Sequence, residues 1–273
     1  MERAGAALRP AVAPAAVRST IGASKGSGMI EVESLTKRYG EFTAVDRLSF
    51  AVRPGEVMGL VGPNGAGKTT TLRCVAGIIP ASLGTIRLGG VDLASDPVGA
   101  KRTMAFIPDE PRLFDYLTVA QHLAFIARLY GVGDYKARGD QLLADLEMSD
   151  KQDLLPAELS RGMKQKLAIA CGLLHGPKAV IFDEPLTGLD PRGMRRMKDM
   201  MRSLAAQGAS IILSSHLLGL VEEVCTHLLI LKDGQAMANG PVADIRAKFA
   251  GDGATLEDVF FLATEDAPGA TPG

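Results

Sequence analysis

The sequence contains no tryptophan, and aromatic residues make up only 5% of its 273 positions. Proteins that bind single-stranded nucleic acid stack the bases on aromatic side chains, and no such platform is visible in this chain. Basic residues are not in excess either, because 30 lysines and arginines stand against 31 acidic residues. Nucleic-acid-binding domains usually carry a basic patch or stripe. The composition therefore predicts that nucleic acid is not a partner.

Cysteine and long apolar runs are scarce as well. The three cysteines are widely separated in the sequence: Cys74, Cys171 and Cys225. Their spacing fits neither a zinc site nor a disulfide framework. No apolar stretch reaches the roughly eighteen residues that a membrane-spanning helix needs. We therefore expect a chain of the reducing cytosol that does not cross a membrane by itself.

The two ends of the chain differ in composition from its middle. Residues 1–28 are rich in Ala, Pro and Gly and predict a disordered extension, with a transit peptide or a translation start at Met29 as the alternatives. Prolines interrupt any secretory hydrophobic region in this segment, so a signal peptide is not expected. Residues 29–261 are patterned and predict the folded domain, whereas residues 262–273 predict a flexible tail.

Short apolar runs alternate with helical patterns through the folded region. The runs predict strands near Ile30–Val32, Leu48–Val52, Val57–Val61, Thr85–Leu88, Met104–Ile107, Ala179–Phe182, Ile211–Leu213 and Leu228–Leu231. Several are continuous Val, Ile and Leu runs, which is typical of strands covered on both faces. The strand signal stops between Pro108 and Leu159, where Val119–Tyr130 and Tyr135–Met148 have helical periodicity. This pattern predicts an α/β core with an all-helical insert at about 109–160.

One octapeptide carries the strongest chemical signal. It matches the phosphate-loop pattern G-x-x-x-x-G-K-[ST] and consists of Gly62, Pro63, Asn64, Gly65, Ala66, Gly67, Lys68 and Thr69. The apolar run before it and the helical run that begins at Thr70 place it between a strand and a helix. That geometry directs backbone N–H groups and the positive end of a helix dipole at one point, which suits a chain of phosphates. Lys68 would contact the β- and γ-phosphates, and the Thr69 hydroxyl would bind Mg²⁺.

A second apolar run ends in two adjacent carboxylates, Asp183 and Glu184. Ligands of parallel sheets collect at the carboxyl ends of the strands. Asp183 is therefore a candidate for holding Mg²⁺ through water, and Glu184 for polarising an attacking water. The alternative is an ordinary strand that ends in a polar turn.

The segment Leu159–Leu167 predicts a helix start with Ser160 as its N-cap. Basic residues occupy the first turn, where they oppose the helix dipole. A docked anion would explain this unfavourable charge, and a solvated helix start is the alternative.

The ordered motifs together resemble the nucleotide-binding subunit of ATP-binding-cassette (ABC) transporters, over about Met29 to Phe261. Gly62–Thr69 resembles the Walker A loop, and Ile181–Glu184 resembles the Walker B strand. The remaining matches are the signature segment Leu159–Met163 (with Ser160, Arg161, Gly162 and Met163), the D-loop Thr187–Asp190, the switch histidine His216, and Tyr39, where the family stacks an aromatic ring on adenine. Tyr39 as a strand-end aromatic and His216 as a capping histidine are the alternatives for these single residues.

The resemblance implies a fold, an activity and a set of partners. The implied fold is α/β: a P-loop NTPase core of the RecA-like type with an N-terminal antiparallel β subdomain and an inserted all-helical subdomain. The implied activity is hydrolysis of ATP with Mg²⁺, between two subunits stacked head to tail, each covering the other's nucleotide with Ser160–Met163. A separate membrane permease would place the chain at the cytoplasmic face of the membrane. Asp190 would lie at the dimer seam, and His216 would bridge the γ-phosphate and Glu184.

Two departures from the family pattern stand out. The common signature is Leu-Ser-Gly-Gly-Gln, and here Arg161 and Met163 replace a glycine and the glutamine. Where the family usually has a glutamine after the strand that ends at Ile107, this chain has Asp109, which can ligate Mg²⁺ through oxygen. Both features, and the tail Leu256–Phe260, resemble exporter-type cassettes with separate permease chains.

Several alternatives remain open at this stage. An import subunit differs only in its permease, and a non-transport ABC ATPase would act on nucleic acid or the ribosome. A GTPase switch or a small-molecule kinase is a rival of another class, although no Asn-Lys-x-Asp guanine motif occurs. Apolar residues follow Asp109 closely, and they either form an exposed docking groove for a permease helix or pack inside the insert: Leu113, Phe114, Tyr116 and Leu117.

Overall fold

The computed structural model of the chain describes residues 28–249 and 255–264. Nearly all of the predicted N-terminal extension and most of the predicted tail lie outside the described residues.

An antiparallel sheet forms the N-terminal part of the fold. Its strands are β1 (Ile30–Tyr39), β2 (Phe42–Val52), β4 (Leu83–Leu88) and β5 (Val91–Asp92), in the order β2-β1-β4-β5. The first two strands are longer than the sequence predicts. Their pairing contains register shifts between Val32 and Arg38, and each bulge interrupts the period-two alternation from which strands are recognised.

A mixed sheet with a parallel centre forms the core. Its six strands are arranged in the order β10-β9-β3-β8-β7-β6, and β10 alone runs antiparallel to its neighbour. The strands are β3 (Val57–Val61), β6 (Met104–Ile107), β7 (Ala179–Asp183), β8 (Ser210–Ser214), β9 (His227–Lys232) and β10 (Gln235–Pro241). All residues of β3, β7 and β8 are buried, which confirms the prediction of strands covered on both faces. The edge strand β10 was not predicted, because only Ala238 in it is buried and no apolar pattern marks it.

Two hydrophobic clusters sandwich this sheet. Val180 and Phe182 of β7 belong to the cluster that includes the helical insert, whereas Ile181 belongs to the cluster with the N-terminal sheet. The helices are α1 (Lys68–Val75), α2 (Pro97–Arg102), α3 (Val119–Tyr130), α4 (Lys136–Asp145), α5 (Arg161–Leu173), α6 (Pro191–Ala206), α7 (Leu218–Val224), α8 (Val242–Phe249) and α9 (Leu256–Thr264). The α/β core with an antiparallel β subdomain and a helical insert is therefore confirmed.

The helical insert contains α3, α4 and two short 3-10 turns, Ser149–Lys151 and Pro156–Glu158. A capping box between Thr118 and Gln121 starts α3. The next helix ends three residues before the predicted Met148, because Glu147 adopts a left-handed φ of 56°. This turn directs Met148 into the core, where its side chain is fully buried.

The last helix alters one predicted boundary. α9 continues through Thr264, so residues 262–264 are helical although the sequence predicts a flexible tail from 262 onward. Val259 and Ala263 are buried, and these core contacts stabilise the helix to its end. Within the two described ranges, every helix is too short or too polar to cross a bilayer.

Candidate active site

The phosphate loop connects the buried strand β3 to α1. Gly65 and Gly67 have φ values of 81° and 98°, in the left-handed region that favours glycine. A Cβ at Gly67 would lie 2.5 Å from the carbonyl oxygen of Ala44, and one at Gly62 would lie 2.4 Å from that of Leu231. The loop thus passes too close to neighbouring backbone for side chains at these positions. Because no side chain caps α1, its first N–H groups are left for an anion.

Lys68 folds back over this loop. Its Nζ donates to the carbonyl oxygens of Gly62 at 2.7 Å and Pro63 at 3.0 Å. Burial lowers the pKa of Lys68, and the negative charges of Glu184 and Asp183 oppose that shift. The ammonium therefore contacts the loop carbonyls and is stabilised by the negative charge of the two carboxylates at the end of β7.

Asp183 is a buried carboxylate at the carboxyl end of β7. It lies opposite Ser214 in the parallel register of β7 and β8, and the Ser214 hydroxyl donates to its Oδ1 at 2.6 Å. The sequence assigned no role to Ser214, although a polar residue at the end of an apolar strand is the signal that could have identified it. Ser214 therefore orients the Asp183 carboxylate.

Glu184 follows in an unusual backbone conformation. Its φ is 50°, in the left-handed region, which costs a residue with a side chain about 1–3 kcal/mol. The Glu184 N–H donates to the carbonyl oxygen of Ser214 at 3.2 Å, and this bond helps to hold the turn. His216 Nδ1 donates to Glu184 Oε2 at 2.8 Å. The predicted pairing of Glu184 with His216 is thus present in the structure.

The oxygen atoms near the loop fit a magnesium ion chemically. Thr69 carries an exposed hydroxyl at the start of α1, and Asp183 contributes a carboxylate. Hydroxyl, carboxylate, phosphate and water oxygens are the ligands that Mg²⁺ prefers. The residues present therefore suit Mg²⁺ bound together with a triphosphate.

The signature segment, at the start of α5, is separate from the phosphate loop. Ser160 caps α5, as predicted, by accepting a hydrogen bond from the Met163 N–H at 3.2 Å. A Cβ at Gly162 would lie 2.6 Å from the carbonyl oxygen of Gly188, so α5 packs closely on the D-loop. Among the described residues, no hydrogen bond or ion pair joins this segment to the phosphate loop. The structure of one chain thus brings the Walker A and B residues together without the signature segment.

Two further predicted site residues, Asp109 and Asp190, form hydrogen bonds away from the phosphate loop. The Asp109 carboxylate accepts a hydrogen bond from Arg161 at 3.2 Å. Asp190 caps α6 by accepting from the Gly193 N–H at 2.7 Å. Neither contact reaches the phosphate loop.

Tyr39 lies at the end of β1 and is 50% exposed. Lys37 Nζ lies 4.9 Å from the centroid of its ring, within the range of a cation–π interaction. The ring is therefore partly exposed at the end of the β1–β2 hairpin.

Two of the apolar residues after Asp109, Leu113 and Phe114, border a cavity of about 240 Å³. Phe114 is 54% exposed and Tyr116 is 92% exposed, whereas Leu113 packs against the core. Phe114 also contacts Phe125 of α3 edge to face, with 5.0 Å between the ring centroids. The cluster is therefore divided between solvent and the interior of the insert.

Comparison with known proteins agrees with this geometry. A family described as "ABC transporter" matches residues 45–187. The ABC-type transporter ATP-binding protein EcsA of Bacillus subtilis (strain 168) is 35% identical over 242 residues, which cover 88% of this chain and 98% of EcsA. The Nod factor export ATP-binding protein I of Paraburkholderia xenovorans (strain LB400) is 39% identical over 213 residues, covering 77% of this chain and 70% of the relative.

Solved structures agree as well. A structure described as the ATP-binding subunit of an ABC transporter superposes with a TM-score of 0.84 at 36% identity, covering 87% of this chain and 100% of that one. The structure of cbiO1 from Clostridium perfringens, described as part of the ABC transporter complex cbiONQ, gives a TM-score of 0.71 at 25% identity, covering 82% of this chain and 92% of cbiO1.

The fold and the site define a phosphate-loop ATPase. More particularly, the chain belongs to the ABC transporter family as an ATP-binding subunit.

Proposed function

We propose that this chain dimerises around two Mg-ATP molecules and drives a separate membrane permease, in the direction of export. The observation that carries the proposal is the separation of the signature segment from the phosphate loop within one chain. The start of α5 carries basic residues and no acidic residue in its first turn. The Asp109 carboxylate offsets the charge of Arg161 in the single chain, and the helix start would still attract a phosphate. A second ABC subunit, identical or related, would bring its nucleotide to this segment.

The nucleotide would be held from two sides. The loop Gly62–Thr69 and Thr70, in the first turn of α1, would bind the phosphates, and Tyr39 would stack on the adenine. Ser160–Met163 of the other subunit would cover the γ-phosphate, with Asp190 at the seam. Each phosphate contact to Lys68 is charge-assisted and contributes about 1.5–3 kcal/mol.

The metal would be held by oxygen atoms at the same place. Thr69 and Asp183 are the proposed contacts of Mg²⁺, whereas the Asp109 carboxylate accepts a hydrogen bond from Arg161. The ion would neutralise the charge that develops on the triphosphate during hydrolysis.

Glu184 and His216 would act on the attacking water. Glu184 would orient the water and accept its proton, and its left-handed backbone turn holds the carboxylate at the end of β7. The hydrogen bond from His216 Nδ1 keeps that carboxylate oriented before the nucleotide arrives. Once His216 also contacts the γ-phosphate, the two residues would couple hydrolysis to closure of the dimer.

The permease would contact the exposed part of the apolar cluster, Phe114 and Tyr116. This surface follows Asp109 in the sequence, and Asp109 contacts Arg161 of the signature segment, so a contact there would respond to the nucleotide of the second subunit. Relatives named for Nod factor export and linearmycin resistance support export as the direction. Such a partner would hold the chain at the cytoplasmic face of the membrane.

Replacing Glu184 with Gln tests the dimer. The variant should bind Mg-ATP and accumulate as a dimer, because loss of a general base typically lowers the rate by about 10²–10⁴ and leaves binding intact. Size-exclusion chromatography with light scattering, with and without Mg-ATP, measures the dimer. Asp134→Asn removes a carboxylate from an exposed loop and serves as the matched control, with turnover unchanged.

Two results would contradict the proposal. One is a variant that remains a single chain at saturating Mg-ATP while the turnover of the parent is strictly first order in protein concentration. The other is hydrolysis by E184Q at the parental rate, which would remove Glu184 from its assigned role.

A further inference from the structure

We propose that Asp109 is a positioning residue for the signature segment: its carboxylate holds the Arg161 guanidinium of the same chain in place for the triphosphate of the second subunit. The inference rests on the proposed function for the second subunit and on the structure for the contact itself. Asp109 and Arg161, which both depart from the family pattern, thus form one coupled pair.

The contact joins distant parts of the sequence. Arg161 Nη2 lies 3.2 Å from Asp109 Oδ1, across 52 positions of sequence. Asp109 follows strand β6, and Arg161 is the first residue of α5. Both side chains are roughly half-exposed, so the pair is accessible to a second subunit.

A buried contact fixes the two backbones against each other. Gln165, one turn further along α5, donates from Nε2 to the carbonyl oxygen of Pro108 at 3.2 Å. Its side chain is almost fully buried. Because Pro108 and Asp109 are adjacent, this bond determines where the Asp109 carboxylate meets the start of α5.

The D-loop supports the Arg161 side chain from another side. A Cβ at Gly188 would lie 3.3 Å from both Cγ and Cδ of Arg161. The aliphatic part of Arg161 therefore lies across Gly188 while its guanidinium reaches Asp109. Two contacts on one long side chain restrict its rotamers, and the entropy cost of placing it against a phosphate falls accordingly.

The charges explain why the pair is useful. The first turn of α5 contains Arg161 and Lys164 and no acidic residue, which is unfavourable beside the positive end of the helix dipole. The Asp109 carboxylate supplies the missing negative charge from outside the helix. A γ-phosphate from the second subunit would supply it in the closed dimer.

A direct magnesium role for Asp109 makes different predictions. A ligand of Mg²⁺ acts within its own site, so its loss raises the Mg²⁺ concentration needed for half-maximal turnover. A residue that acts through Arg161 instead weakens dimer formation, and its loss has no further effect once Arg161 is gone.

Hydrogen–deuterium exchange on the nucleotide-free chain tests the contact alone. D109N and R161M should each speed amide exchange in residues 160–166 by about two- to fivefold, the range expected for an exposed ion pair. The double variant should show no additional increase. E110Q removes the neighbouring carboxylate and should leave exchange unchanged. Equal exchange in D109N and the parent would overturn the inference, whatever the chain does with ATP.

The second measurement uses the same substitutions in the E184Q background. The ATP concentration needed for dimer formation should rise in D109N, rise at least as much in R161M, and be the same in the double variant as in R161M. The Mg²⁺ concentration for half-maximal turnover, measured with Glu184 restored, should not change in D109N. A raised Mg²⁺ requirement, or losses that add in the double variant, would overturn the inference. Failure of E184Q itself to dimerise would instead refute the proposed function, and the exchange experiment would still decide the contact.

Discussion

The hydrogen bond between Ser214 and Asp183 leads to a quantitative prediction. Ser214 is fully buried, and its hydroxyl donates to the carboxylate at 2.6 Å. In Ser214→Ala the buried carboxylate loses a charge-assisted bond, and such bonds contribute about 1.5–3 kcal/mol. The Glu184 N–H loses the Ser214 hydroxyl as well but keeps the Ser214 carbonyl oxygen. We therefore expect the free energy of unfolding to fall by about 2 kcal/mol.

The same strand offers a matched control. Ser210, at the other end of β8, is also fully buried, and its hydroxyl has no hydrogen-bond partner within the described part of the chain. An unpaired buried hydroxyl is destabilising, so Ser210→Ala should be neutral or stabilising by up to about 1 kcal/mol. The two substitutions remove the same atom from the same strand, but only S214A should lower the free energy of unfolding.

Equilibrium unfolding in urea measures both values. Turnover as a function of Mg²⁺ concentration should in addition show a higher requirement for S214A than for S210A, because Ser214 orients Asp183. A loss of stability in S214A no greater than that in S210A would refute the reasoning from the hydrogen bond.

Two other predictions concern the loops of the site. Gly188 has a φ of 80°, and a Cβ there would crowd Arg161. Gly188→Ala should therefore lower the stability of the fold by about 1–2 kcal/mol and should also weaken ATP-driven dimerisation. Gly208 has a φ of 91° with open space around it, so Gly208→Ala should lower the stability and leave dimerisation unchanged. Equal dimerisation defects in the two variants would contradict the crowding argument. ATP affinity should fall as the pH rises toward the ordinary lysine value of 10.5, because burial lowers the pKa of Lys68 and phosphate binding needs the charged ammonium. Titration calorimetry at a series of alkaline pH values measures the ATP affinity. An affinity that stays constant up to pH 10.5 would contradict the role of the Lys68 charge.

Most of the fold was predictable because its signals are local. The buried strands β3, β7 and β8 are continuous apolar runs, and the helix starts at Ser160 and Thr118 are marked by capping residues. The strand β10 and the full lengths of β1 and β2 were not predictable, because bulges and edge positions weaken the alternation of side chains. The early end of α4 likewise depends on the left-handed turn at Glu147, which no pattern in the sequence marks.

The candidate site also contains parts with a local sequence signal and parts without one. The sequence by itself determined the phosphate loop, since strand, glycine turn and helix are neighbours along the chain and their geometry follows from backbone sterics. Only the tertiary structure decided that Ser214 meets Asp183, that Glu184 adopts a left-handed conformation, and that Arg161 reaches Asp109. The two hydrogen bonds join residues tens of positions apart, and the order and register of the strands bring these residues together.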